Sequence, residues 1–239
     1  MAKSGKDKLI WLGLGGAALL ALAAGRAASA PRSGGAVGTS PSPACPYPPP
    51  GPPPLDKSRW DLIDRIYARV VEANPRLKNT SCSECGGRSL AAVVAGALAQ
   101  AEGLEVPPDL VVAVAWREST FNPHVDRVAE ALRISNNGAN CASGTEIGPM
   151  QVKPCAFKTV RLDPTLLLNM PTPVRIQYAV SAGILYLRWL KNTRLPGASW
   201  CDVLHAYNVG PGAFLAGQRN ASYVQAILGK AGEYSELRV

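Results

Sequence analysis

A chain of 239 residues with 47% apolar content is long enough for one substantial domain with appendages, and too apolar for wholesale disorder. Its net charge of +8 is uneven: five Lys/Arg and one acid precede Asp56, leaving +4 on the remainder. Basic residues there are scattered and aromatics few, so no nucleic-acid partner is expected. The charge reads as solvated surface, or as attraction to a polyanion such as a cell-wall polymer or lipid headgroups.

The chain opens with Lys3, Lys6 and Lys8, and Leu9 to Gly25 then carries no charge. A basic lead, an apolar run and small residues at Ala27-Ala28-Ser29-Ala30 predict, over residues 1–30, a signal peptide or a membrane anchor. Lysines on the leading side put that end in the cytoplasm and the rest outside. Residues 31–55 follow as a Pro-rich linker, with ten prolines among the twenty-four residues from Pro31 to Pro54. Such a run makes a semi-rigid polyproline spacer. Cys45 inside it would tether the linker to the domain or pair with another chain. The expected domain occupies 56–239.

Trp60, Leu62, Ile63, Ile66, Tyr67, Val70 and Val71 follow helical spacing up to Asn74-Pro75. Lys78 to Gly87 reads as a loop, and Ser89 can cap an alanine-rich helix from Leu90 to about Gly103. Pro107-Pro108-Asp109 suits the start of a third helix, because proline needs no donor there. Leu110 to Trp116 is apolar on every side and belongs in a core. It closes on Arg117-Glu118-Ser119, with Asn122-Pro123 ending it. Asp126 to Arg133 predicts a short helix, Ser135 to Gly144 a loop, Thr145–Val152 a small β excursion, and Cys155 to Val160 another helix. Pro173 to Lys191 is strongly helical. Ser199 caps a helix through His205-Ala206-Tyr207-Asn208, which Gly210-Pro211-Gly212 breaks, and Ser222 to Leu228 gives a final turn or two. The domain is predicted to be mainly α.

Six cysteines in a chain with an export-like start favour disulfides in an oxidising compartment. The candidates are Cys82, Cys85, Cys141, Cys155 and Cys201, with Cys45 in the linker, and the connectivity stays open. Cysteines and histidines do not cluster at metal-ligand spacing, so neither a metal nor any other cofactor is expected.

Glu118 is the residue around which the chemistry turns. Burial disfavours its ionised form, and the negative end of its helix repels it. Both raise its pKa, which suits a general acid near neutral pH. Two further pieces stand out: Gly148-Pro149-Met150-Gln151, a glycine-kinked loop carrying an amide, and Ala206-Tyr207-Asn208 with Gly210-Pro211-Gly212, a helix end carrying a phenol and an amide. Converging on a groove, they would supply a proton donor and hydrogen-bonding groups for a sugar chain.

In this order and spacing the three pieces resemble the soluble lytic transglycosylase family, related to goose-type lysozyme. The family pattern of Glu-Ser at a helix end, Gly-Leu-Met-Gln and Ala-Tyr-Asn-x-Gly stands here as Glu118-Ser119, Gly148-Pro149-Met150-Gln151 and Ala206-Tyr207-Asn208-Val209-Gly210. The likeness runs over about 106–228, with Pro149 in place of leucine and a longer segment, holding Cys141, between Asn122 and Gly148. The resemblance implies a lysozyme-like α (α+β) domain that cleaves the β-1,4 bond between N-acetylmuramic acid and N-acetylglucosamine in peptidoglycan strands. Glu118 would be the acid and then the base, giving a 1,6-anhydro end. Ser119, Gly148, Gln151, Tyr207 and Asn208 would position the sugar and Glu118, and Met150 would line the groove. Plain hydrolysis is the alternative, with Glu146 or Asp126 as second carboxylate; a non-catalytic wall-binding module is the third reading. The expected location is the periplasm or cell envelope, anchored to the inner membrane or released. A secretion machine, a pilus or a virion would each suit such an enzyme as a partner assembly.

Overall fold

The structure, a computed structural model, describes Cys45, Tyr47 and residues 59–238. The expected signal or anchor segment lies outside the described residues, as does the linker apart from Cys45 and Tyr47. Among the described residues the elements are helical, and β structure is limited to the isolated bridges Ser81↔Ser89 and Ile147↔Val152. The second bridge is the small β excursion expected over Thr145–Val152.

Helix α1 (Arg59–Ala73) buries Leu62, Ile66 and Val70, which recur every four residues along one face. A single turn, α2 (Arg76–Asn79), leads to a 3-10 turn at Ser83–Cys85 closed by the Cys82–Cys85 disulfide. In α3 (Leu90–Leu98) the Ser89 hydroxyl accepts from the Ala92 N–H as the sequence indicates, and the chain tightens into a 3-10 stretch, Ala99–Leu104. Helix α4 (Pro108–Ser119) has Pro108 in its first turn, and every side chain from Leu110 to Ala115 is fully buried. It stops earlier than Asn122-Pro123, because Thr120 (φ 51°) and Phe121 (φ 64°) take left-handed backbone. Phe121 is wholly buried, and that burial offsets the strain of turning a bulky residue this way.

A 3-10 turn (Val125–Arg127) and α5 (Val128–Ile134) precede the loop 135–144, which the Cys141–Cys155 disulfide ties to the start of α6 (Pro154–Thr159). Helix α7 (Thr172–Trp189) packs against α3 and α6 and runs on into a π turn, Leu190–Arg194. The Glu84 carboxylate accepts from the Thr172 N–H at 2.6 Å, satisfying a donor at the start of α7. Ser199 and Asp202 form a reciprocal capping box on α8 (Trp200–Val209). At Gly210 (φ 84°) the chain turns, and Pro211 restarts it as α9 (Pro211–Leu215), a helix the glycines had concealed. The last helix, α10 (Ala221–Glu233), is longer than the expected turn or two. Asn220 caps it through Tyr223 N–H, and Tyr223, Val224, Ile227 and Ala231 are buried on one face in spite of Gly229 and Gly232. Helix α10 packs against both α4 and α8, and so brings the ends of those two helices into one neighbourhood.

Candidate active site

Glu118 stands in the last turn of α4, half-buried. Burial pushes its pKa above the ordinary 4.5; a hydrogen bond from Tyr223 and the charge of Arg117 pull it down, and the charge of Glu146 adds to the rise. The Tyr223 hydroxyl donates to Glu118 Oε1 at 2.5 Å, and Arg117 lies over the Tyr223 ring at 5.7 Å from its centroid. Tyr223 is held neutral, because burial and the neighbouring Glu118 charge both push its pKa well above 10. It therefore remains a donor to the carboxylate throughout the range in which Glu118 titrates.

The 148–151 loop is fastened from three sides. Ser119 Oγ donates to the Pro149 carbonyl at 2.7 Å, Tyr207 OH donates to the Met150 carbonyl at 2.8 Å, and Gln151 Nε2 donates to the Gly148 carbonyl at 2.8 Å. Gly148 has φ 77°, and a Cβ there would lie 2.7 Å from the Ala179 Cβ, so this turn needs glycine both for its backbone and for its approach to α7. Gln151 also takes left-handed backbone, φ 48°. Strain of this kind persists only where surrounding contacts impose it, and the three hydrogen bonds supply them.

A cavity of about 310 Å³ lies beside these groups, lined by Gln151, Lys153, Tyr186, Tyr207 and Asn208, by Gly210-Pro211, and by the Cys141–Cys155 disulfide. Glu118 is not in its wall; it neighbours Tyr207, whose phenol burial and the Glu118 charge hold neutral. Tyr186 stacks on Trp189, with centroids 5.6 Å apart, and meets Tyr207 at 5.8 Å, so aromatic faces form one side. Lys153 pairs with Glu146 at 3.8 Å, both partly exposed. The arrangement combines a proton donor with amides, phenols and aromatic faces, which suits a sugar chain.

The structure brings Gln151, Tyr207 and Asn208 together on the cavity wall, with the charge of Glu118 acting on Tyr207 and that of Glu146 on Glu118, and with some departures from the expected roles. Met150 does not line the groove: its side chain is fully buried, packed where a Cβ on Gly183 of α7 would lie only 2.7 Å from Sδ, and only its carbonyl meets a site residue, accepting from Tyr207. Ser119 spends its proton on the loop carbonyl. Asn208 is exposed, and its Oδ1 accepts from Asn220 Nδ2 at 2.8 Å. Asp126 is exposed on its 3-10 turn and acts on His124, whereas the charges acting on Glu118 are those of Arg117 and Glu146. Tyr223 and Tyr186 escaped the sequence reading. Each sits in helical apolar spacing, where a phenol looks like core until its neighbour is known. Among the described residues no three His, Cys, Asp or Glu side chains gather where they could hold a metal ion.

The model of the transglycosylase SLT domain family matches residues 97–226, more than half of the chain. The chain belongs to the transglycosylase SLT family. Among curated proteins nothing matches it, and among solved structures nothing matches either. The SLT domain makes this a lytic transglycosylase-type enzyme with peptidoglycan as its substrate, on a mainly helical, lysozyme-like fold. Among the described residues no helix is long and apolar enough to cross a membrane.

Proposed function

We propose that this SLT protein cleaves the MurNAc-β-1,4-GlcNAc bond with Glu118 as its single catalytic acid and base, leaving 1,6-anhydro-MurNAc ends. The observation that carries this is the half-buried Glu118 at the end of α4, raised in pKa by burial and held by the Tyr223 hydroxyl. Protonated Glu118 gives its proton to the glycosidic oxygen as the bond to C1 breaks. The substrate's own acetamido group stabilises the cation, as in other glycosidases that dispense with a second carboxylate. Glu118, now a carboxylate, takes the proton of the C6 hydroxyl as that oxygen closes on C1. The acid is regenerated and no water is consumed. Gln151, Tyr207 and Asn208 hold the sugar, while Ser119 and Gly148 shape the loop that presents Gln151.

A hydrolytic outcome has one observation in its favour: Glu146 is close enough for its charge to act on Glu118, and a carboxylate there could activate water. Mass analysis of the products separates the two, because an anhydro end is one water lighter than a reducing end. Glu118→Gln is expected to abolish cleavage of purified peptidoglycan while the chain stays folded. Above pH 4.5 the variant should also be the more stable protein. A raised pKa means that the folded state loses stability as pH climbs from the ordinary value to the raised one, and glutamine removes that loss. Unchanged clearing of peptidoglycan by the variant would end the Glu118 assignment, whereas a wild-type chain that binds peptidoglycan without cleaving it would favour a wall-binding module. We assign the catalytic domain to 56–239 and export to the segment 1–30; fractionation of cells, with the N-terminus read from the recovered protein, tests export and separates a cleaved signal from an anchor.

A further inference from the structure

Glu118 and the Tyr207–Asn208 pair stand at the C-terminal ends of α4 and α8, and the starts of the same two helices are joined by the chain around Cys45. Asp109, nine residues before Glu118, is a fully buried carboxyl group. It accepts from Tyr47 OH at 2.8 Å and from Arg238 Nε at 2.6 Å, and the Arg238 guanidinium lies 5.2 Å from the Tyr47 ring centroid. Cys45 forms a disulfide with Cys201 in the first turn of α8, with Cα atoms 5.6 Å apart, and its sulfur also accepts from the Cys201 N–H at 3.1 Å. At about 1.5 Å rise per residue, Asp109 lies roughly 13 Å behind Glu118 and Cys201 roughly 9 Å behind Tyr207. Two residues of chain reach at most about 7 Å, so the attachment points on the two helices are tied by a short link. Near their other ends α10 makes the second tie, through Tyr223 to Glu118 and Asn220 to Asn208.

We infer that the Cys45–Tyr47 segment is a strap that sets the distance between the helices bearing Glu118 and Tyr207, which makes Cys45 and Tyr47 positioning residues for the cleavage reaction. The inference rests on the catalytic reading of Glu118 given above. Both helices clip the same loop, α4 by Ser119 to the Pro149 carbonyl and α8 by Tyr207 to the Met150 carbonyl. Sliding one helix against the other opens one of these clips and moves Gln151 away from the proton donor. Holding the starts of the helices prevents that slide. A buried carboxyl group at Asp109 holds the strap firmly, because leaving it unpaired in the interior costs more than the pair itself contributes.

The test uses the full chain with Tyr47→Phe, with Cys45→Ser plus Cys201→Ser, and with all three. Melting temperature, kcat, KM and the pH profile of kcat on purified glycan strands are measured, together with amide exchange over 116–121 and 204–210. Well below their melting temperatures, the cysteine variants should lose about tenfold in kcat with KM within about twofold, as expected when reacting groups are displaced by a fraction of an ångström. Exchange should quicken at both helix ends, and the pH profile should move as Glu118 gains water. Tyr47→Phe, which keeps the ring and the disulfide, should show the same pattern at about threefold, and it carries the test if the cysteine variants do not fold. A lower melting temperature with kcat, pH profile and exchange all unchanged would reduce the strap to a stabilising staple and overturn the inference. A wild-type chain that cleaves no peptidoglycan would instead remove the catalytic reading, and the exchange measurement would still decide whether the strap couples the helices.

Discussion

The hydrogen bond from Tyr223 to Glu118 works against the burial that raises the Glu118 pKa, since it favours the ionised form, whereas Glu146 works with that burial. A general acid is useful only below its pKa, so cleavage by this enzyme should fall as pH climbs past the raised value. Tyr223→Phe removes a contact that lowers the pKa; its alkaline limb should move to higher pH while kcat falls by roughly 10²-fold, as for loss of an orienting group. Glu146→Gln removes a charge that raises it, and the limb should move to lower pH. Opposite displacements in the two pH–rate profiles are the expected outcome. A shift in the same direction would show that Glu118 is not the group titrating. Of these three residues the sequence pointed to Glu118 and offered Glu146, while Tyr223 was concealed. A tyrosine among Val224 and Ile227 in helical spacing announces a core position, and only the fold shows that its hydroxyl ends on a carboxylate from 105 residues earlier.

Elements that carry local signals were the legible ones. Pro108, Ser89 and Ser199 each mark a helix start by satisfying or dispensing with a donor, and each helix begins where those residues say. The ends were harder, because a stop can be imposed by tertiary burial. Phe121 ends α4 in left-handed backbone that its side-chain type disfavours, and α10 runs through two glycines that would ordinarily argue for a stop. The loop 148–151 has its shape set by α7 behind it, where Gly183 leaves room for the Met150 side chain. Gly183→Ala should therefore cost about 1–3 kcal/mol of stability, the Met150 side chain being forced to give way. It should also lower activity more than that loss implies, because the displaced loop carries the Tyr207 acceptor. Chemical denaturation and kcat, measured on the same variant, check both parts.

At the scale of the whole molecule, helical spacing predicted a mainly α domain, and the lysozyme-like form was implied by the resemblance of three motifs, taken together in their order and spacing, to the soluble lytic transglycosylase family. The links between them were not legible. Cysteine count and compartment argued for disulfides, but pairing depends on where the chain travels; a tether from Cys45 to the domain was one of two alternatives, and neither its partner Cys201 nor the packing of Tyr47 could be read from the proline-rich context. Nor could spacing reveal that the Cys141–Cys155 bond, joining the longer segment to α6, would form part of the cavity wall.

The three disulfides close rings of very different size, with partners 3, 14 and 156 residues apart. Biosynthesis proceeds from the N-terminus, so Cys45 emerges long before its partner and spends that interval in the company of Cys82, Cys85, Cys141 and Cys155. Ring closure is cheaper for the nearer thiols. Maturation should therefore pass through scrambled isomers in which Cys45 is bonded to one of them, and completion should await thiol–disulfide exchange. Trapping free thiols at successive times during oxidative refolding, followed by peptide mapping, should find Cys201 the last to become protected. Production in a host should rise with a disulfide isomerase more than with an oxidase alone, and Cys45→Ser should remove that dependence.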